Sequence, residues 1–355
     1  MSETYWLLGL PFDTTTLSEA RARIFAAVRD RRQLVFATPN VSFAAQAGRD
    51  RQFRADILRT DLSLADGMPL VWLGRLLGVP FRERVAGSDL LESLLAEPGP
   101  APLRVYFFGG EPGAAQAAMQ AVNGRAGGLQ AVGACFPGHG SVQEMSSEAT
   151  IAAINDSNAD LLVVALGAAK GHRWIEANRQ RLRVPVISHL GAAINFIAGR
   201  LQRAPRLMQK TGLEWLWRIK EEPQLLGRYA RDGWWLAGQV ARLAFHGRPG
   251  PQGGAAKVSL DSADAGSLGV SVAESFTGRD VAAIGEPVRR FFGDGGRQIR
   301  MDMRGVRTLD ARGAGWLYAQ RHRHGAAPRF VLRCDARSRR ELARWQCADF
   351  AEADA

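Results

Sequence analysis

The sequence predicts an α/β protein: a parallel sheet with helices on both faces, a helical appendage to it, and a small second α/β domain. Three observations carry that expectation. Four short, continuously apolar segments, ending at Ala37, Phe108, Leu166 and Ser188, alternate with helix-patterned stretches. Strands buried on both faces read as such runs, because crossover helices cover each face of a parallel sheet. Helical periodicity dense in tryptophan and arginine follows from Glu214 to about His246, and beyond a turn-rich stretch the alternation of strands and helices resumes.

In order along the chain, helix signals from about Thr16 to Arg29 lead into Leu34-Val35-Phe36-Ala37, which stops at Thr38-Pro39-Asn40. Val105-Tyr106-Phe107-Phe108 gives way to Gly109-Gly110-Glu111-Pro112-Gly113 and an alanine-rich helix from Ala114. Leu161-Leu162-Val163-Val164-Ala165-Leu166 ends in Gly167, and Val184-Pro185-Val186-Ile187-Ser188 is the fourth run. Trp215, Trp217, Trp234 and Trp235 lie in the helical tract with Arg218, Lys220, Arg228, Arg231 and Arg242. Gly247-Arg248-Pro249-Gly250-Pro251-Gln252-Gly253-Gly254 has the composition of a linker. The expected division is therefore a first domain over residues 1–246, a linker over 247–256 and a second domain over 257–355. The second domain carries strands at Ile299–Met303 and Arg329–Cys334, a loop at Leu309-Asp310, and helices near Ala282–Phe292 and Ala314–Arg323.

Composition bounds the function. With 355 residues, 46% hydrophobic and 23% charged, both parts have the makings of a core. A net charge of +11, its excess almost all arginine, suits phosphates, acidic lipids or nucleic acid, and equally fits an arginine-rich proteome of high genomic GC content. The arginines are scattered and no nucleic-acid motif is present, so no nucleic-acid partner is expected. Cys135, Cys334 and Cys347 lack zinc or disulfide spacing, which fits a reducing cytoplasm. The N-terminus lacks the basic region and apolar length of a signal peptide, and no run reaches the roughly 18 apolar residues of a spanning helix. The expected location is cytoplasmic, with peripheral contact at the inner face of the membrane.

Ligands of open parallel sheets lie at the carboxyl ends of the strands, and three groups of residues there are candidates. Asp66, in Ala65-Asp66-Gly67, offers a carboxylate able to accept a proton from an attacking hydroxyl; Asp-Gly is also a common turn. The loop Gly109–Gly113, between a strand and a helix, presents backbone amides suited to a diphosphate, or is simply a tight turn. It lacks the spacing of the dinucleotide fingerprint and the lysine of the P-loop. Arg203-Ala204-Pro205-Arg206 and the tract from Glu214 to Arg231 suit a lipid headgroup layer, or a helix pair with its tryptophans turned inward.

The order of these motifs adds specificity. Thr38-Pro39-Asn40, Ala65-Asp66-Gly67, Arg84-Val85-Ala86-Gly87-Ser88-Asp89-Leu90, Phe107–Gly113, Gly191-Ala192-Ala193 with Gly199, Arg203-Ala204-Pro205, and Gly212-Leu213-Glu214-Trp215-Leu216-Trp217-Arg218 with Glu222-Pro223 and Arg228-Tyr229 resemble the WecG/TagA/CpsF glycosyltransferases over about residues 5 to 240. The resemblance implies a Rossmann-like sheet. It also implies inverting transfer of a sugar, of the N-acetylmannosamine, glucose or uronic acid type, from a UDP-sugar to a polyprenyl-diphosphate-linked saccharide, in cell-surface or exopolysaccharide synthesis. No cofactor, and usually no metal, is implied. Carried over by position, Asp66 is the general base, with Thr38 and Asn40 lining its pocket. Gly109, Gly110, Gly167, Lys170 and Gly191 face the UDP-sugar, and Arg84, Arg203, Arg218 and Arg228 face the lipid diphosphate.

The chain departs from the family pattern in two places. Gly167-Ala168-Ala169-Lys170-Gly171-His172 stands where the family shows Gly-x-Pro-Lys-Gln-Glu, and Gln224-Leu225 follows Glu222-Pro223 where a further arginine is usual. The first departure keeps open a second reading, a catalytically silent regulator that binds a UDP-sugar or a partner. Beyond residue 257, Ile299–Val306 and Leu309-Asp310-Ala311-Arg312-Gly313-Ala314-Gly315 resemble a STAS domain. Ala311 and Arg312 stand where signalling members carry a phosphorylated serine, which implies a docking module for a protein partner or a structural appendage.

Overall fold

Alternate side chains of the apolar segments point to opposite faces of one sheet, and helices cover both. The computed structural model describes residues 3–205, 207–208, 211–245, 259–264, 267–294, 296, 298–322 and 329–351. The expected linker and Arg206, Lys257 and Arg323 lie outside the described residues. Contacts group the chain into two compact units: one of Thr15–Trp72 and Phe81–Trp235, the other of Met1–Thr14, Leu73–Pro80 and Leu236–Ala355.

The elements begin with β1 (Thr4–Leu7), β2 (Leu10–Asp13), α1 (Leu17–Arg29), β3 (Leu34–Ala37), α2 (Val41–Ala47), α3 (Arg51–Leu58), β4 (Leu62–Ser63), α4 (Met68–Leu76) and α5 (Gly87–Ala96). They continue with β5 (Leu103–Gly109), α6 (Ala114–Asn123), β6 (Leu129–Cys135), α7 (Glu148–Asp156), β7 (Leu161–Ala165), α8 (Ala168–Asn178), β8 (Val186–His189) and α9 (Gly191–Ile197). Six of these strands form a sheet in the order β4-β3-β8-β7-β5-β6, with every neighbouring pair parallel. The expected parallel sheet with helices on both faces is thus present, with two strands more than the apolar runs announce. β4 is only two residues long, and β6 is diluted by alanine and glycine (Leu-Gln-Ala-Val-Gly-Ala-Cys); both occupy edges of the sheet.

Phe36, Phe107, Val163 and Val186 pack on one face with Ile24 of α1, Leu90 and Leu94 of α5, Ala118 of α6 and Ile194 of α9. Val35, Phe108, Val164 and Ile187 pack on the other with Ile151 and Ile154 of α7 and Trp174 and Ile175 of α8. Trp174 stacks on Phe108 at 4.4 Å, and its indole N–H donates to the Met145 carbonyl at 3.1 Å. Helix starts are fixed locally. Thr16 and Glu19 form a capping box on α1, and Asn40 and Asp50 accept from backbone amides at the starts of α2 and α3. Past α9 come the appendage helices α10 (Glu214–Glu221) and α11 (Leu226–Phe245).

The other unit holds β9 (Ser259–Asp264), β10 (Ser267–Ser271), β11 (Ser275–Phe276), α12 (Gly278–Gly293), β12 (Gln298–Asp302), β13 (Thr308–Leu309), α13 (Ala311–His322), β14 (Arg329–Arg333) and α14 (Ala336–Arg344). Its main sheet runs β14-β12-β10-β9, with β9 antiparallel and the other pairs parallel. The β1–β2 hairpin joins this unit by packing on α13. A side chain at Gly315 would put its first carbon 2.3 Å from the Thr4 carbonyl oxygen, so only glycine permits the approach. Trp6 is fully buried there; its indole donates to the Trp345 carbonyl at 2.6 Å, and its ring meets Tyr318 at 5.5 Å and Phe350 at 5.0 Å. Nothing in the strand pattern of residues 4–13 encodes that membership, because its partners lie more than 300 residues away.

Candidate active site at the carboxyl edge of the sheet

The register brings the ends of β3, β4, β5, β7 and β8 to one edge, and with them most of the residues singled out by motif. Thr38 and Asn40 follow β3, Asp66 follows β4, Gly110 and Gly167 follow β5 and β7, and Gly191 opens the helix after β8. Gly67 has φ +115°, a region costly for any side chain, and this turns the chain from β4 into α4 directly behind Asp66. The Asp66 amide donates to the Pro39 carbonyl at 3.0 Å, which ties the two strand-end segments together.

Gly87, at the start of α5, packs against Thr38 and Leu190. A methyl group there would lie 2.5 Å from Leu190 Cδ2 and 3.0 Å from Thr38 Oγ1, so backbone and side chains meet without space for another carbon. The Gly87 N–H donates to the Asp66 carboxylate. Burial pushes the Asp66 carboxyl up to about 7; Arg84 opposes that rise, the negative charges of Glu214 and Asp89 add to it, and the Gly87 bond opposes it. A carboxylate that titrates near neutrality is matched to accepting a proton at physiological pH.

Arg84 is flanked by carboxylates: one Nη donates to Glu214 at 2.6 Å and the other to Asp89 at 2.6 Å. Arg203 pairs with Asp89 and Glu92, so Asp89 joins the two arginines. The Arg203 and Arg218 guanidiniums both lie over the Phe196 ring, at 5.8 and 5.4 Å, and Arg218 also pairs with Glu222 at 2.9 Å. Among the described residues Arg228 takes no part in this network; it lies exposed on α11, over the Tyr229 ring at 5.4 Å.

On the other side of the edge, Gly109 and Gly110 adopt φ +98° and +83°. A methyl at Gly109 would come 2.5 Å from the Ala165 carbonyl oxygen, which accepts from the Gly110 amide at 2.6 Å. The loop therefore crosses the end of β7 at a distance only glycine allows and enters α6 through Gly113 at φ +77°. Gly167 caps α8 with open space around its α-carbon, and Lys170 is exposed with its ammonium donating to the Gly140 carbonyl at 3.0 Å.

Motif reading missed a pair of imidazoles. His172 of α8 and His189 at the end of β8 are 2% and 7% exposed, with ring centroids 5.4 Å apart beside Phe43 and Phe53. Among the described residues neither Nε2 has a hydrogen-bond partner, and burial holds His172 well below the usual range and His189 down at about 4. A methyl at Gly171 would lie 2.2 Å from His189 Cδ2. The glycine at 171 and the imidazole at 189 thus fit each other, and the segment that departs from the family pattern is packed around a histidine. The signal in sequence was the departure itself, not any spacing of histidines.

Comparison with known proteins agrees with this architecture. The model of the "Glycosyl transferase WecG/TagA/CpsF family" matches residues 5–249. A protein of Bacillus spizizenii (strain W23), named N-acetylglucosaminyldiphosphoundecaprenol N-acetyl-beta-D-mannosaminyltransferase, is 28% identical over 190 residues, covering 54% of this chain and 71% of that protein. Proteins of the same name from Staphylococcus aureus strains MW2 and NCTC 8325 are each 24% identical over 224 residues, covering 62% of this chain and 86% of theirs. With the family model spanning well over half of its length, the chain belongs to the WecG/TagA/CpsF family of glycosyltransferases.

Proposed function

We propose that the chain transfers a sugar from a UDP-sugar to a hydroxyl of a polyprenyl-diphosphate-linked saccharide, with inversion at the anomeric carbon. The observation that carries this reading is the Asp66 carboxyl at the mouth of the sheet, with its pKa near neutrality. In a single displacement the Asp66 carboxylate takes the proton of the acceptor hydroxyl as its oxygen bonds to the anomeric carbon, and UDP departs with the electron pair of the broken bond. Thr38 and Asn40 line the reacting pocket. Gly109, Gly110, Gly167, Lys170 and Gly191 face the UDP-sugar, where backbone amides and the start of α6 favour the diphosphate. Arg84, Arg203, Arg218 and Arg228 serve the acceptor diphosphate. The names of the relatives favour an N-acetylmannosamine donor over the glucose or uronic acid types, and synthesis of a cell-surface polysaccharide or exopolysaccharide is the setting.

The acceptor places the enzyme peripherally at the inner face of the cytoplasmic membrane. Among the described residues no helix is long and apolar enough to cross a membrane. Support for a surface contact comes from Trp215, Leu216, Leu226 and Trp234 on the appendage helices, exposed by 41%, 43%, 57% and 80%. The C-terminal unit acts, on this reading, as a STAS-like docking module for a protein partner.

A second reading, a catalytically silent regulator that binds a UDP-sugar, is favoured by the inward-packed Gly171-His172 segment. Release of UDP from UDP-N-acetylmannosamine in the presence of a polyprenyl-diphosphate N-acetylglucosamine acceptor separates the two. Turnover by the wild type that falls by roughly 10²- to 10⁴-fold in Asp66→Asn supports the transferase. Binding without turnover supports the regulator, and an Asp66→Asn variant as active as the wild type removes Asp66 from the mechanism.

A further inference from the structure

We propose that Glu214 is a positioning residue for the base: it draws the Arg84 guanidinium toward the appendage and so leaves the Asp66 carboxylate without a full ionic partner. This rests on the reading of Asp66 as proton acceptor; the two ion pairs of Arg84 are independent of that reading. Among the described residues, the cation Arg84 and the anions Asp89 of α5 and Glu214 of α10 bear on Asp66; the Val85 N–H donates to the Ala65 carbonyl at 2.9 Å, which ties the Arg84 segment to the Asp66 turn, and the Gly87 N–H is the backbone donor to the carboxylate. Both Nη atoms of Arg84 are engaged, one by each of those anions at 2.6 Å. Asp89 is further shared with Arg203, which also pairs with Glu92. Arg84 and Glu214 are only 12% and 19% exposed at their side chains, so solvent screens the contest weakly.

The physical consequence has one sign. A carboxylate beside an unshared guanidinium is held in its ionised form and becomes a poor base, whereas like charges nearby strengthen it as a base. Glu214 does both things that favour basicity: it adds a like charge and occupies Arg84, the cation that opposes the rise at Asp66. Asp89 belongs to the same local segment as Arg84, but Glu214 arrives from 130 residues away on the helix whose Trp215 and Leu216 are exposed. The seating of the appendage therefore sets the strength of the base.

The test is a pH titration of the full chain. The Asp66 carboxyl is followed by NMR of protein labelled with ¹³C-aspartate, its signal identified by absence from Asp66→Asn. Turnover of UDP-N-acetylmannosamine with the polyprenyl-diphosphate N-acetylglucosamine acceptor is measured in parallel. Glu214→Gln is expected to move the titration midpoint and the acid limb of kcat to lower pH by about one unit, the low end of the effect of an opposite charge. One unit below the wild-type midpoint the ionised fraction then rises roughly fivefold. Glu214→Asp, which keeps the charge at shorter reach, is expected to fall between the two. A midpoint that stays in place or rises in folded Glu214→Gln overturns the proposal; if that variant does not fold, the same result in Glu214→Asp does so. Turnover abolished in Asp66→Asn with no shift from Glu214 leaves the base reading standing alone. A shift from Glu214 with full turnover in Asp66→Asn overturns the base reading instead, and with it the catalytic meaning of the shift.

Discussion

Replacing Gly87 by alanine adds a single carbon at the tightest point of the candidate site. That carbon would lie 2.5 Å from Leu190 Cδ2 and 3.0 Å from Thr38 Oγ1, both on residues at least nine-tenths buried. Relief requires movement of α5 or of Leu190, and overpacking of this kind costs about 1–3 kcal/mol. In a unit of this size that lowers Tm by roughly 2–12 °C, at about 2–4 °C per kcal/mol. The same displacement pulls the Gly87 N–H from the Asp66 carboxylate, a bond that favours the ionised form. The carboxyl then titrates above about 7, so the acid limb of kcat moves to higher pH, opposite to the shift expected from Glu214→Gln. Thermal melting and a pH–rate profile read the two effects separately. Gly233→Ala in α11 is the control, since among the described residues nothing beyond its own helix backbone lies within 4 Å of the added carbon; it is expected to stabilise the helix by about 0.5–1 kcal/mol. A Gly87→Ala protein that melts with the wild type and keeps its pH profile refutes the reasoning about this contact.

Asp66→Asn is expected to stabilise the protein at pH 8. A carboxyl whose folded pKa is raised to about 7 from 3.8 contributes stability that is complete below the lower value and lost as pH rises through the higher, so the gain has an upper bound of about 4 kcal/mol and vanishes near pH 4; equal melting at pH 8 contradicts the buried charge. His172 and His189 act in the other direction. Both are held neutral, so stability complete above pH 6.5 is lost as pH falls toward about 4, and His172→Phe should flatten part of that loss in melting curves recorded across the interval. Trp6→Ala removes a fully buried ring and an indole hydrogen bond, at a cost of about 3–5 kcal/mol; amide exchange should rise first in α13 and α14, and a uniform rise would speak against the hairpin's place in that unit. Trp234→Ser, at a residue 80% exposed, should leave Tm unchanged while weakening binding to anionic phospholipid vesicles; unchanged binding contradicts the surface role.

Strand and helix signals in the first 200 residues were legible because a sheet covered on both faces writes its strands as unbroken apolar runs. β4 escaped, being two residues long, and β6 escaped because an edge strand needs less apolar surface. The candidate site was legible through motif order, and the register of the sheet explains why: residues far apart in sequence follow strands that end side by side. The ionic context of those residues was not legible. Arg84 and Arg203 read as cations waiting for phosphate, yet each grips two carboxylates, a fact that depends on the approach of Glu214 and Glu92 and on no local pattern. The imidazole pair was hidden for a similar reason, since Gly171 gains meaning only when His189 is seen to fill the space beside it.

The burial of Trp6 beside Trp345 has a consequence for how the polypeptide matures. The indole emerges from the ribosome long before its partner, since the carbonyl it binds is synthesised 339 positions later. Until then Tyr5, Trp6, Leu7 and Phe12 have no cover from α13 and α14, and closing so long a loop carries an entropic charge that local folding does not. Cutting the gene after the family match, at residue 249, would leave that apolar hairpin permanently bare. A shortened protein that aggregates would then report the missing cover, not any defect in the transferase sheet.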